Sequence, residues 1–411
     1  MNAPLITLTA QADRWLIETD VASQRTAEWT VQVPDAPRQT ERAPLNLALI
    51  LDRSGSMAGD KLMHVKQAAH HLLDQLGERD RVAVVAYDDE VRLVAASAPL
   101  TESFKRQLKA SIEELAPGGW TDLSGGWLRG CNEVAAHLGR QQVSRALLLT
   151  DGLANRGITD VEELAHHARE LRLRGVATST FGVGLDFNEH LLEAMAAQGG
   201  GQFYYIERPA QIPEFFRREL GELLTVVARE AFVTLAAPAG VALEVLGDLP
   251  HEKNGQQIKL SLGDLSSGER RQFYARVLTP PGAAGAGVTL QGRLAYLDTE
   301  GAPQSAEGAV AWTYAASAEV ARAAVEQGVL SRASEVEVAA AATQALRLER
   351  AGKREEARSV MQQTLAANAP HMPAPAAANY QNLSDKMEQG LTEQERKAEH
   401  FDAYQKRQRR S

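Results

Sequence analysis

Leu47-Ala48-Leu49-Ile50-Leu51-Asp52-Arg53-Ser54-Gly55-Ser56-Met57 carries an apolar run straight into one carboxylate and two hydroxyls spaced Asp-x-Ser-x-Ser. Apolar residues without alternation suit a central strand of a parallel sheet, which is buried on both faces. Small oxygen-bearing residues just past the carboxyl end of such a strand suit a ligand loop, where three side chains can face one small hard cation. A plain strand-to-helix turn capped by serine fits the same stretch, with Gly55 in the turn.

Two distant segments add to this loop. Thr121 sits in Gly118-Gly119-Trp120-Thr121-Asp122 just before a helical pattern, and Asp151 ends the apolar run Ala146-Leu147-Leu148-Leu149-Thr150 and is followed by Gly152. In an open α/β sheet both positions fall at or above the carboxyl ends of strands, so three loops can meet over one ion. Asp52 and Asp151 offer anionic oxygen and Ser54, Ser56 and Thr121 neutral oxygen, a set suited to Mg²⁺ or Mn²⁺ and unsuited to a soft metal.

With these spacings, residues 43–225 resemble the von Willebrand factor type A family in a bacterial-type multidomain arrangement. Asp52, Ser54 and Ser56 match the first loop of that family's metal-ion-dependent adhesion site, Thr121 its second and Asp151 its third. The resemblance implies direct ligation by Ser54, Ser56 and Thr121, with Asp52 and Asp151 holding ordered waters. It also implies Mg²⁺ as the leading ion, with Mn²⁺ or Ca²⁺ as alternatives, and a site used for recognition of a partner's Asp or Glu. Gly118, Gly119, Trp120 and Asp122 form the candidate rim.

Composition bounds the rest. A chain of 411 residues with 44% hydrophobic content can bury more than one core. The formal charge of -9 argues against broad phosphate or nucleic-acid binding. Cys131 is the only cysteine, which excludes an intramolecular disulfide, and its helical context favours packing over redox chemistry. The start Met1-Asn2-Ala3-Pro4-Leu5-Ile6-Thr7-Leu8 lacks a basic region followed by a long apolar core, and no transmembrane stretch appears. These features lead to an expectation of a cytoplasmic protein.

The alternation of elements predicts a doubly wound, mostly parallel sheet over residues 43–225. Strands are expected at 47–51, 81–87, 145–150, 176–182 and 202–206, with helices between. Only Asp88-Asp89-Glu90 separates the second strand from Val91-Arg92-Leu93-Val94, so one edge strand should run antiparallel. Short alternating runs at 226–315, and Ile6-Thr7-Leu8-Thr9 and Ala27 to Val33 within 1–42, predict one accessory β-sandwich interrupted by the metal domain. Residues 316–411 read as a helical region, with a hairpin near 338–367 and a tail striped by Leu383, Met387 and Leu391. The tail's Lys406-Arg407-Gln408-Arg409-Arg410-Ser411 end reads as a frayed solvated helix.

Other residues carry weaker signals. The glycines form neither a Walker loop nor a well-placed dinucleotide fingerprint. Asp88 and Asp89 read as solvated turn residues rather than a second cation site. His70-His71 and His166-His167 point about 100° apart on helices, and His64, His137 and His190 lack zinc-site context, so all read as nonspecific. Trp120 and Trp127 are the aromatic candidates for function, and Met57 and Met63 read as packing residues. The expected function is therefore a divalent-cation-dependent protein-binding module, an intracellular scaffold or regulator rather than an enzyme. A metal-dependent hydrolase, or a surface adhesin whose export signal is missing from this sequence, is the alternative.

Overall fold

The computed structural model describes residues 6–35, 42–247 and 249–408. The Met1–Leu5 start and the Arg409-Arg410-Ser411 end of the basic tail lie outside the described residues. Strands β1 (Thr7–Ala12), β2 (Leu16–Glu18) and β3 (Ser23–Gln32) come first. The central α/β unit then contains β4 (Leu45–Asp52), α1 (Asp60–Gln75), β5 (Arg81–Tyr87), β6 (Val91–Pro99), α2 (Glu102–Glu113) and α3 (Leu123–Ala135). It continues with β7 (Val143–Thr150), α4 (Val161–Leu173), β8 (Ala177–Val183), α5 (Glu189–Gly199), β9 (Gly200–Ile206) and α6 (Ile212–Leu224).

The central sheet has the order β6-β5-β4-β7-β8-β9, with β6 antiparallel at one edge and the other pairings parallel. Every residue of β4 and β7 is buried. The unbroken apolar run of β4 serves two cores at once. Leu47, Leu49 and Leu51 pack on the side of Val65 and Phe216, whereas Ala48 and Ile50 pack on the side of Trp127 and Leu191. Helix α3 approaches so closely that a Cβ on Gly130 would lie 2.4 Å from Ile50 Cγ1. The chain winds outward in both directions from β4 and β7, so their carboxyl ends flank the crevice where such sheets hold ligands.

Asp80 anchors the opposite end of the sheet. Its carboxylate accepts from Arg42 at 2.7 and 2.6 Å and from the Leu45 and Gly77 amides at 2.9 Å each. Burial alone would raise its pKa, but these donors outweigh burial and hold it below the ordinary value. A depressed carboxyl stabilises the fold fully above its unfolded pKa, 3.8 here, and that stability disappears as pH falls through the lower folded value. Asp80→Asn should therefore flatten the acid limb of a stability-versus-pH curve below about pH 4, measured by urea unfolding.

The remaining strands are β10 (Val226–Ala236), β11 (Ala242–Leu246), β12 (His251–Asn254), β13 (Gln257–Ser266), β14 (Arg270–Thr279), β15 (Gly287–Leu297) and β16 (Pro303–Ala315). They complete two sheets, β1-β3-β14-β11 and β12-β13-β10-β15-β16-β2. Strands from before and after the central unit therefore pair directly, as where β3 runs antiparallel to β14 from Ser23↔Thr279 to Gln32↔Arg270. One apolar core fills the space between the sheets, with Trp29 stacked on Phe273 at 6.3 Å. Gly292 makes room for Trp29, whose ring would lie 2.3 Å from an added Cβ.

Helices α7 (Ser317–Arg322), α8 (Gln327–Arg350), α9 (Arg354–Asn368), α10 (Ala374–Gln389) and α11 (Glu393–Gln408) follow. Leu383, Met387 and Leu391 join the core of this helical region. The reading of the tail as a frayed, solvated helix is corrected for its described part. Lys397, His400, Ala403, Tyr404 and Arg407 of α11 are buried. Tyr404 accepts from the Phe203 amide at 3.1 Å, and Arg407 pairs with Glu193 at 2.6 Å, so α11 lies against α5 and β9 of the central unit.

Candidate metal centre

The β4 loop folds over its own strand end. The Ser54 amide donates to Asp52 Oδ1 at 2.8 Å, and Thr150 Oγ1 donates to Asp52 Oδ2 at 2.6 Å. Ser54 Oγ lies 3.2 Å from Ser56 Oγ, which donates to Asp151 Oδ1 at 2.6 Å. Four of the five candidate ligands thus form one hydrogen-bonded array between the ends of β4 and β7. Thr121 borders it: a Cβ built on Gly152 would stand 3.6 Å from Thr121 Oγ1 and 3.7 Å from Ser56 Oγ. Asp52, Ser54, Thr121 and Asp151 are buried and Ser56 is exposed.

The Thr121 loop is fixed by backbone contacts between glycines and the first loop. Gly55 donates to the Gly119 carbonyl at 3.0 Å and Gly118 to the Arg53 carbonyl at 2.7 Å. A Cβ on Gly118 would stand 1.6 Å from Asp88 Oδ2. Asp122 caps α3 by accepting from the Gly125 amide at 2.9 Å, and Asn155 Oδ1 accepts from the Thr121 amide at 2.9 Å.

Asp88 is not the solvated turn residue expected. It is 3% exposed, pairs with Arg53 at 2.9 Å and accepts from the Gly119 amide at 3.2 Å, so it clamps the second loop onto the first. Trp127 is likewise removed from the functional candidates, because it is buried beneath the site and its indole donates to Thr178 Oγ1 at 3.1 Å. Trp120 stands at the mouth, 71% exposed. Met57 packs in the core, whereas Met63 is exposed on α1. Cys131 is buried, which pushes its thiol up to about 12 and leaves it inert.

Burial pushes the Asp52 carboxyl up to about 6, against the hydrogen bonds from Ser54 and Thr150. Lys61 of α1 makes an ion pair with Asp151. Two buried carboxylates, only Asp151 of them paired with an ammonium, with hydroxyls between them, form a donor set that fits a hard divalent cation.

A second group of donors lies elsewhere. Glu189, His190 and His400 each bring one ligand atom to within 4.8 Å of the others, a spacing at which three side chains can share a divalent cation. Burial, and then the neighbouring His400, lowers His190 to about 4. Burial would raise Glu193, but Arg407 and His400 hold it at about 2, as Lys397 and Arg350 hold Glu189 at about 2. This group was invisible in sequence, because α5 and α11 lie far apart along the chain and no metal-site spacing links them.

The model of the von Willebrand factor type A domain matches residues 46–218. An uncharacterised protein of Synechocystis is 33% identical over 247 residues, 56% of this chain and 56% of that protein. Human inter-alpha-trypsin inhibitor heavy chain H4 is 28% identical over 206 residues, 47% of this chain and 22% of that one. The chain thus spans about half the length of the first of these curated relatives and less of the second. A von Willebrand factor type A structure from Catenulispora acidiphila superposes with a TM-score of 0.70 at 18% identity, covering 88% of each chain. The cytoplasmic expectation is overturned by these comparisons, since the inter-alpha-trypsin inhibitor heavy chains are extracellular proteins. Among the described residues no helix is long and apolar enough to cross a membrane. The central unit of this chain has the fold of a von Willebrand factor type A domain, the fold of a protein-interaction module.

Proposed function

We propose that Asp52, Ser54, Ser56, Thr121 and Asp151 bind a divalent cation, Mg²⁺ before Mn²⁺ or Ca²⁺, and that this cation captures an Asp or Glu of a protein partner in an adhesive interaction. The carrying observation is the single array of hydroxyls and buried carboxylates at the open carboxyl ends of β4 and β7, beneath an exposed tryptophan. Neutral hydroxyl donors leave a bound cation Lewis-acidic toward an incoming carboxylate. The kinship with inter-alpha-trypsin inhibitor heavy chains supports the adhesive reading over the intracellular one. Recognition through the metal alone carries little sequence selectivity, so Trp120, Gly118, Gly119 and Asp122 read the surroundings of the partner's acid.

Pull-down with Mg²⁺, with chelator, and with Mg²⁺ restored tests the proposal. Capture should vanish in chelator, return with Mg²⁺, and be absent with Thr121→Ala. Trp120→Ala should weaken the captured partner by ~1–2 kcal/mol, as expected for an aromatic anchor, without changing Mg²⁺ affinity in calorimetry. A partner held equally in chelator and by Thr121→Ala would refute metal-mediated capture.

A further inference from the structure

We infer that Glu189 and His190 of α5 and His400 of α11, with Glu193 beside them, form a second cation site of the zinc class that fastens the C-terminal helix to the central domain. The two rings meet edge to face with centroids 4.6 Å apart. His400 is fully buried with its Nε2 facing Glu193, and its Nδ1, His190 Nε2 and Glu189 Oε1 have no hydrogen-bond partner. Buried polar atoms are rarely left unpaired in folded proteins, and an unfilled group of them calls for a specific occupant.

The neighbouring charges decide which ion fits. Glu189 Oε2 is occupied by Lys397 at 2.9 Å and Arg350 at 2.8 Å, and Glu193 Oε1 by Arg407 at 2.6 Å. Glu393 also pairs with Arg350 and Lys397, so three cationic side chains face three carboxylates and leave no excess negative charge to attract Mg²⁺ or Ca²⁺, which bind through charged oxygen. Two imidazoles and one carboxylate oxygen are the donor set of Zn²⁺, Co²⁺ or Ni²⁺. Glu193 Oε2 lies 2.5 Å from His400 Nε2, the place of the carboxylate that orients a metal-ligating histidine from behind. The donors come from α5 and α11, so an ion held by both ties the helical region to the domain that carries the Asp52 loop.

The test uses the full chain, stripped with chelator and titrated with Zn²⁺ alone by calorimetry, in wild type and in Asp52→Ala so that the hard-cation site cannot answer for this one. One equivalent should bind in both, Co²⁺ should give the intense visible bands of a tetrahedral site, and Zn²⁺ should slow hydrogen exchange over α11. Because His190 is half-buried, His190→Ala should fold as judged by circular dichroism and lose affinity at least 100-fold. Glu193→Gln should lose about 10–100-fold. If wild type binds no Zn²⁺ stoichiometrically, or His190→Ala binds it equally with the same exchange protection, the cluster is an ion-pair network only and the inference is overturned.

Discussion

Mg²⁺ should raise the stability of wild type by ~2.7 kcal/mol at a concentration one hundred times its dissociation constant, and should leave Asp52→Ala and Asp52→Asn unmoved. The reason lies in the position of Asp52. Its carboxylate is fully buried at the end of β4, and burial raises it from 3.8 to about 6. A carboxyl whose folded value exceeds its unfolded one subtracts stability once it is ionised, here roughly 3 kcal/mol at neutral pH. In chelator, Asp52→Asn should therefore be at least as stable as wild type, because one amide oxygen still accepts from Ser54 or Thr150 while the buried charge is gone. With Mg²⁺ at that concentration wild type should draw about level with Asp52→Asn. Thermal unfolding of the two proteins with and without Mg²⁺ reads both effects, and a Mg²⁺ shift retained by Asp52→Asn would rule out Asp52 as part of the site.

The central sheet was legible because β4 and β7 are buried on both faces, which leaves an uninterrupted apolar run that neither a helix nor an edge strand produces. The loop residues were legible for a related reason: Asp52, Ser54 and Ser56 are polar residues set directly against that run, where burial would otherwise exclude them. Legibility failed where burial depends on a partner far away in sequence. Asp88 looks like any turn acid until Arg53 and the Gly119 amide close around it. The tail failed for a sharper reason, since the buried face of α11 includes Lys397, His400 and Arg407. Apolar periodicity cannot detect a face made of charged groups, because their burial is possible only against Glu189 and Glu193 on another helix.

Glu219→Ala should cost ~3–5 kcal/mol of stability, the range for removing one partner of a buried charged network. Glu219 is 1% exposed and serves three donors: Arg145 Nη1 at 3.4 Å, Ser179 Oγ at 2.6 Å and Tyr204 Oη at 2.8 Å. Arg145 also reaches Asp264 of β13 at 2.8 Å, so one network joins α6, β7, β8 and β9 to the sandwich. Alanine would leave Arg145 buried with a single charged partner and the Tyr204 hydroxyl without its acceptor. Arg145→Ala added to Glu219→Ala should cost less than the sum of the two single losses, because the second change removes the stranded charge. Urea unfolding followed by two probes measures these differences and checks that the transition remains cooperative. Arg145 lies near the start of β7 and Asp151 just beyond its end, a separation of roughly 20 Å along the strand. Mg²⁺ affinity in folded Glu219→Ala should therefore equal that of wild type. A parallel loss of affinity would mean that contact with the sandwich tunes the loops at the far end of the sheet.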